Sequence, residues 1–226
     1  MDSLGVIFDM DGVLVDSYRA HFESWRELGR QHGVEMTEEQ FASCFGRTSR
    51  DIIRHFWSDR VDEETMAAWD AEKEAAYRDI LRAHFPEMDG AGDLLHALAE
   101  AGFAMAIGSS GPAENVELAR TCLPGGELIR ETVNGMEVTH GKPDPEVFLT
   151  AARKLGVSPV RCAVIEDAPA GIEAARRAGM TAVAITGTAP REKLAERAHL
   201  VVDSLRELTP AQLRTLIEST GGRDAR

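Results

Sequence analysis

From about residue 87 to the C-terminus, short apolar runs alternate with helical patterns, and this alternation constrains the fold more than any other feature. "FAMAIGSS" (103–110), "LIRETV" (128–133), "RCAVIEDA" (161–168), "TAVAITG" (181–187) and "LVV" (200–202) read as strands. Between them "AENVELARTC", "DPEVFLTAARKLG", "AGIEAARRAG" and "TPAQLRTLIES" read as helices. Pro145 sits near the first turn of the second and Gly156 at its end, while Thr209 and Pro210 fit the N-cap and first position of the last. One earlier run, "VIF" at 6–8, joins the strand set. Alternating β and α units imply a parallel sheet with helices on both faces.

Residues 17–86 break this rhythm. "AHFESWRELGRQHG", "TEEQFASCF", "TSRDIIRHFW" and "DEETMAAWDAEKEAAYRDILRAHF" place apolar residues three and four apart, the period of helices. Thr37 with Gln40 fits a capping box, and Thr48 fits an N-cap. Trp25, Trp57 and Trp69 fall at core spacings of this helical set. The simplest division is an α/β core of residues 1–16 and 87–226, interrupted by a helical insert of residues 17–86. The connections fall near Asp16-Ser17 and near "FPEMDGAG". The tail "STGGRDAR" reads as frayed.

The chain has 226 residues, 43% of them hydrophobic and 28% charged, enough for one soluble core with an insert. Its formal net charge of −13 repels nucleic acid and anionic membrane. Neither a leader nor a membrane-spanning run is visible, and Cys44, Cys122 and Cys162 are too widely spaced for a metal cluster. A cytoplasmic protein with reduced cysteines, monomeric or weakly dimeric, is expected.

In an open parallel sheet, ligands bind beyond the carboxyl ends of the strands. Acids stand there. Asp9 and Asp11 follow "VIF", with Gly12 allowing a tight turn; "RCAVIEDA" ends on Glu166 and Asp167, and "FAMAIGSS" carries Ser109. Carboxylates this close raise one another's pKa, and a divalent cation relieves the conflict. Oxygen donors without His or Cys suit Mg²⁺. Lys142, in "GKPDPEVF", adds a fixed positive charge; it is one of only four lysines. A carboxylate nucleophile, a cation, a Lys and a Ser make a phosphoryl-transfer site, where charge neutralisation dominates.

These four segments resemble the haloacid dehalogenase-like superfamily, in the branch with a helical cap after the first strand of a Rossmann-like core. "FDMDGVLVDS", "IGSSG", "GKPDPEVF" and "VIEDAPAGIEAARRAGM" match its motifs in order. The resemblance implies that Asp9 is the nucleophile and Asp11 the general acid and base. It implies that Ser109 and Lys142 grip the phosphoryl group. Mg²⁺ would be held by Asp9, the Asp11 carbonyl and Asp167, with Glu166 a ligand or one shell out. The expected activity is hydrolysis of a small phosphorylated metabolite, a sugar phosphate by preference. Asp11 argues against the family's dehalogenases, which lack this acid.

The helical insert carries His21, Arg50 and Lys73, a set similar to that of the β-phosphoglucomutases, so a phosphosugar isomerase is the alternative activity. A Schiff-base role for Lys73, as in the phosphonoacetaldehyde hydrolases, is a further reading, and a non-catalytic binding protein is the reading from another class. Each residue also has a plainer account: His21 as a half-buried helix residue, Arg50 paired with Asp51 or a Glu, Lys73 on a solvated helix turn beside Glu72 or Glu74. Gly111 departs from the mutase pattern, which tends to place a polar residue there. Asp16 is expected to cap the first helix of the insert.

Overall fold

The computed structural model describes residues 3–221 and divides into two compact units, Met1–Asp16 with Glu87–Arg226, and Ser17–Pro86. Among the described residues, the first unit holds six strands: β1 (Gly5–Phe8), β2 (Ala104–Gly108), β3 (Glu131–Val133), β4 (Cys162–Glu166), β5 (Thr181–Ile185) and β6 (Leu200–Val202). They form one parallel sheet in the order β3-β2-β1-β4-β5-β6. The chain leaves β1 on one side through β2 and β3, then returns to β4 on the other. The topological switch therefore lies at β1, where connections diverge and leave a crevice for a ligand. In register, Phe8 lies opposite both Ile107 and Ile165, so β1, β2 and β4 end side by side.

The sequence reading of a parallel α/β core holds, with two differences of detail. The strand expected over "LIRETV" is shortened to Glu131–Val133, because a 3₁₀ turn occupies Gly126–Leu128. Second, a helix covers Ala91–Glu100, immediately after Gly90 and inside the stretch that carries the glycine-rich connection. Its apolar face, Leu94, Leu95 and Leu98, is buried.

Helices over Glu146–Leu155 and Pro169–Arg177 pack on one sheet face. That core is rich in alanine, with Ala151, Ala152, Ala174 and Ala175 meeting Ala104, Ala106, Ala182 and Ala184. Small side chains on both surfaces draw the helices close to the sheet and carry their N-terminal ends toward the strand ends. The helix over Ala91–Glu100 and the closing helix over Pro210–Gly221 also lie against the sheet. The Thr209 hydroxyl accepts from the Gln212 N–H at 3.2 Å, the capping bond expected of it.

The second unit contains four helices: α1 (Tyr18–His32), α2 (Glu38–Cys44), α3 (Ser49–Trp57) and α4 (Glu63–Ala83). Thr37 and Gln40 form a capping box, and Thr48 caps α3 through the Asp51 N–H. Trp25, Trp57 and Trp69 are buried together with Phe22, Phe41 and Ile53. Asp16 does not cap α1. It is exposed, and the N-cap position belongs to Ser17, whose helical backbone (φ −87°, ψ −9°) makes no side-chain capping bond. No described helix is long and apolar enough to cross a membrane.

Candidate active site

Asp9 stands one residue beyond β1, and its N–H continues the ladder to the Ile165 carbonyl at 2.9 Å. The backbone thus fixes where this carboxylate sits. The next residues form a tight turn: Leu14 and Val15 donate to the Met10 carbonyl at 2.9 and 3.0 Å, and Gly12 donates to Val15 at 2.8 Å. Asp11 lies on that turn, half-buried, and its charge acts on Asp9. Gly12 has φ 77°, and a β-carbon there would overlap the Asp167 carboxylate. One glycine therefore meets two demands, a left-handed turn and room for an acid from β4.

Lys142 draws the first and fourth strands' acids together. Its ammonium is buried, bonds the Oδ1 atom of Asp9 and donates to Oε1 of Glu166 at 2.8 Å. It also lies 4.8 Å from the centre of the Phe148 ring. The other oxygen of Glu166 accepts from the Ala168 N–H at 2.6 Å. Gly171, one turn into the following helix, leaves space for this carboxylate, since a β-carbon there would overlap it. Glu166 is thus held at both oxygens. Asp167, also buried, accepts from the Thr188 hydroxyl. Ser109 is buried one residue beyond β2; its Oγ accepts from the Gly111 N–H at 3.0 Å, which leaves the hydroxyl proton as its donor.

The electrostatics follow from this arrangement. Burial pushes Asp9 up to about 7 against the opposing pull of Lys142, with Glu166 and Asp11 adding to the rise. Burial, then Glu166 and Asp9, push Asp167 well above the ordinary carboxylate range. Lys142 is held ionised by Asp9 and Glu166 despite its burial. Carboxylate oxygens of Asp9, Glu166 and Asp167 lie within 4.8 Å of one another. An all-oxygen cluster carrying more negative charge than one lysine cancels fits a hard divalent cation.

The helical unit holds a second polar cluster. Lys73 is buried, not on the solvated turn that its neighbours in sequence suggest, because position 73 shares the inner face of α4 with Trp69 and Tyr77. Its ammonium bonds His21 Nδ1 at 2.8 Å and Glu74 Oε1 at 2.9 Å. It also lies 5.5 and 5.3 Å from the ring centres of Trp25 and Tyr77. His21 stacks on Tyr77 with centroids 4.0 Å apart. Ser49 donates to Glu74 at 2.6 Å. Arg50, half-exposed, reaches Asp70 on α4 at 3.3 Å rather than its neighbour Asp51.

Three participants escape a reading based on sequence motifs, Thr188, Ser49 and Asp70, whereas Glu74 is the partner of Lys73 that its neighbouring position suggests. Thr188 could have been found, since it follows β5 on the same sheet edge as the acids. The other two required knowing which faces of α3 and α4 meet.

A family model described as haloacid dehalogenase-like hydrolase matches residues 6–185, and the chain belongs to that family. The chain is similar to validoxylamine A 7'-phosphate phosphatase of Streptomyces hygroscopicus subsp. limoneus, 37% identical over 203 residues, covering 87% of this chain and 92% of that relative. Hexitol phosphatase A of Escherichia coli (strain K12) is 34% identical over 209 residues, covering 91% and 93%. A solved β-phosphoglucomutase of Clostridium difficile matches with a TM-score of 0.85 at 26% identity, over 98% of this chain and 100% of that one.

Proposed function

We propose that the protein is a Mg²⁺-dependent phosphatase that hydrolyses a small phosphorylated metabolite, a sugar phosphate by class, through a phosphoryl group carried on Asp9. The observation that carries this reading is the pairing of Asp9 and Glu166 through Lys142 with Asp167 beside them. The similarity to two proteins named as phosphatases supports the same reaction class.

Asp9 attacks phosphorus, and the bond to the leaving oxygen breaks as Asp11 gives that oxygen its proton. Water then attacks the phosphoryl group on Asp9, Asp11 takes the water's proton, and inorganic phosphate leaves with Asp9 restored. Lys142 and the Ser109 hydroxyl donate to phosphoryl oxygens and keep the group in line. Asp9, Asp167 and the Asp11 carbonyl would hold Mg²⁺; with both its oxygens engaged, Glu166 acts one shell out by positioning Lys142. When bound, the ion neutralises charge that develops on the phosphoryl oxygens. His21, Arg50 and Lys73 are the residues of the helical unit that we assign to substrate binding.

The alternative is a phosphosugar isomerase, supported by the likeness to a β-phosphoglucomutase. The test measures free phosphate from a panel of sugar and polyol phosphates with Mg²⁺, and product sugar phosphate from β-glucose 1-phosphate primed with its bisphosphate. Release of phosphate that disappears in Asp9→Asn is expected. Rapid glucose 6-phosphate formation with little free phosphate selects the isomerase. Silence in both channels removes the reaction class.

A further inference from the structure

We infer that Phe148 is a positioning residue for the proposed reaction: the face of its buried ring holds the Lys142 ammonium in place through a cation–π contact while Asp9 changes its charge. This deepens the phosphatase reading above and rests on it.

The Lys142 ammonium is bonded to Asp9 and Glu166 and lies 4.8 Å from the centre of the Phe148 ring. A cation within about 6 Å of a ring centre is drawn to the negative face of the ring, most strongly where water is excluded. Water is largely excluded here, since the Lys142 side chain is 10% exposed and Phe148 is fully buried. The ring has little room to move. It belongs to the core that Ile7, Val147, Ala151 and Val164 build on one sheet face. It also seats close against β2, where a β-carbon at Gly108 would lie 3.1 Å from it. Phe148 falls in the first turn of the helix Glu146–Leu155, shortly after Lys142, so one short segment carries both the ammonium and the ring that faces it.

The proposed reaction makes this contact matter. When Asp9 bonds phosphorus, the negative charge it presented to Lys142 passes to the phosphoryl group. Asp9 is therefore a changing partner, and Lys142 keeps its place only if its other partners stay constant. Glu166 does, since its second oxygen accepts from the Ala168 N–H at 2.6 Å. The Phe148 ring does as well, and it differs from a carboxylate in one respect: it attracts the cation yet carries no net charge. A further carboxylate at that place would cancel charge that the phosphoryl oxygens need, whereas an aromatic face leaves that charge to act on them. An ammonium has three donors, of which two are engaged by Asp9 and Glu166, and the third remains for a phosphoryl oxygen.

The test replaces Phe148 by mono-, di- and trifluorinated phenylalanine, which withdraw charge from the ring face in steps while nearly keeping its size, and by leucine in Phe148→Leu. Phosphate release is measured with Mg²⁺ from the sugar phosphate that the unaltered protein turns over fastest, below the thermal midpoint of every variant. kcat/KM should fall stepwise with each fluorine, by about tenfold in all for the trifluorinated ring, and by at least as much in Phe148→Leu. A ring that only fills space would leave kcat/KM independent of the number of fluorines, whatever happens to the thermal midpoint. That result overturns this inference and leaves the phosphatase in place. If Phe148→Leu fails to fold, the fluorinated series carries the test alone. No phosphate release by the unaltered protein from any compound of the panel overturns the phosphatase reading, and this inference falls with it.

Discussion

The molecule buries two lysines among carboxylates, and the two sites solve the charge problem in opposite ways. Around Lys142 stand Asp9, Glu166 and Asp167, with Asp11 close enough to act on Asp9. Negative charge exceeds positive, and the acids respond by rising, Asp9 to about 7 and Asp167 well above its usual range. Around Lys73 stands Glu74, with His21 and two aromatic rings, and Glu74 falls, while burial and Glu74 push Asp70, the partner of Arg50, up. An under-compensated cluster stores an unmet demand for a cation and so is suited to take one up. A compensated cluster stores none and is suited to hold shape. At these two lysines the contrast is one of charge count: Lys142 faces three carboxylates, and Lys73 is bonded to one.

The sharpest way to break this comparison is the same substitution at both lysines. Lys142→Met strips the active-site acids of their cation, and Lys142 also grips the phosphoryl group in the proposed mechanism. Turnover should fall by on the order of 10³-fold or more, from the loss of a charge aimed at the transition state. Lys73→Met should act first on stability, costing about 3 kcal/mol, because Glu74 is left buried without its partner. Steady-state kinetics with urea unfolding of both variants checks the pair. Equal losses of stability with equal losses of turnover would erase the distinction between the two clusters.

A second, smaller effect lies in pH. Asp9 and Asp167 have folded-state values above their unfolded ones, so the folded chain holds protons that the unfolded chain releases. The part of the penalty due to Asp9 is full above about pH 7, fades as pH falls through its folded value, and is gone below about pH 4, and Asp167 adds to it in the same direction. A divalent cation removes it where it is largest. The rise in thermal midpoint on adding Mg²⁺ should therefore be greater near pH 8 than near pH 5.5, read by scanning calorimetry. A rise independent of pH would disconnect the ion from these acids.

The two clusters also differ in how far they can be read from sequence. Asp9, Asp11, Ser109 and Glu166-Asp167 each follow an apolar strand, and a parallel sheet brings such positions to one edge whatever the details. Lys142 is visible by its place before a helix and by the scarcity of lysine. The helical cluster has no such rule. Lys73 sits in "AEKEAAY", which reads as surface, and its burial depends on α4 turning that face toward Trp25 and His21 of α1. Arg50 likewise looks bound to its neighbour Asp51, while the fold pairs it with Asp70, twenty residues on. Pairings set by how helices meet leave no local trace. The helix over Ala91–Glu100 is obscured for another reason, since Gly90 and Gly92 at its start read as connection.

Thr188 sharpens the comparison at the scale of one hydroxyl. It donates to Asp167, the acid on which neither Lys142 hydrogen bond falls. A bond that orients a carboxylate of the proposed metal site influences ion affinity more than fold stability, and loss of such outer contacts weakens metal binding by roughly 10–100-fold. Thr188→Val keeps the shape and removes the donor. Stability in the absence of ion should change by only about 1 kcal/mol, since one hydrogen bond is lost at a partly exposed position. The Mg²⁺ concentration that half-saturates activity should rise at least about tenfold, with kcat at saturating ion close to that of the unaltered protein. Unchanged half-saturation would mean that Asp167 is oriented by its backbone alone. The demand for a cation would then reside in the strand ends themselves, without help from the β5 loop.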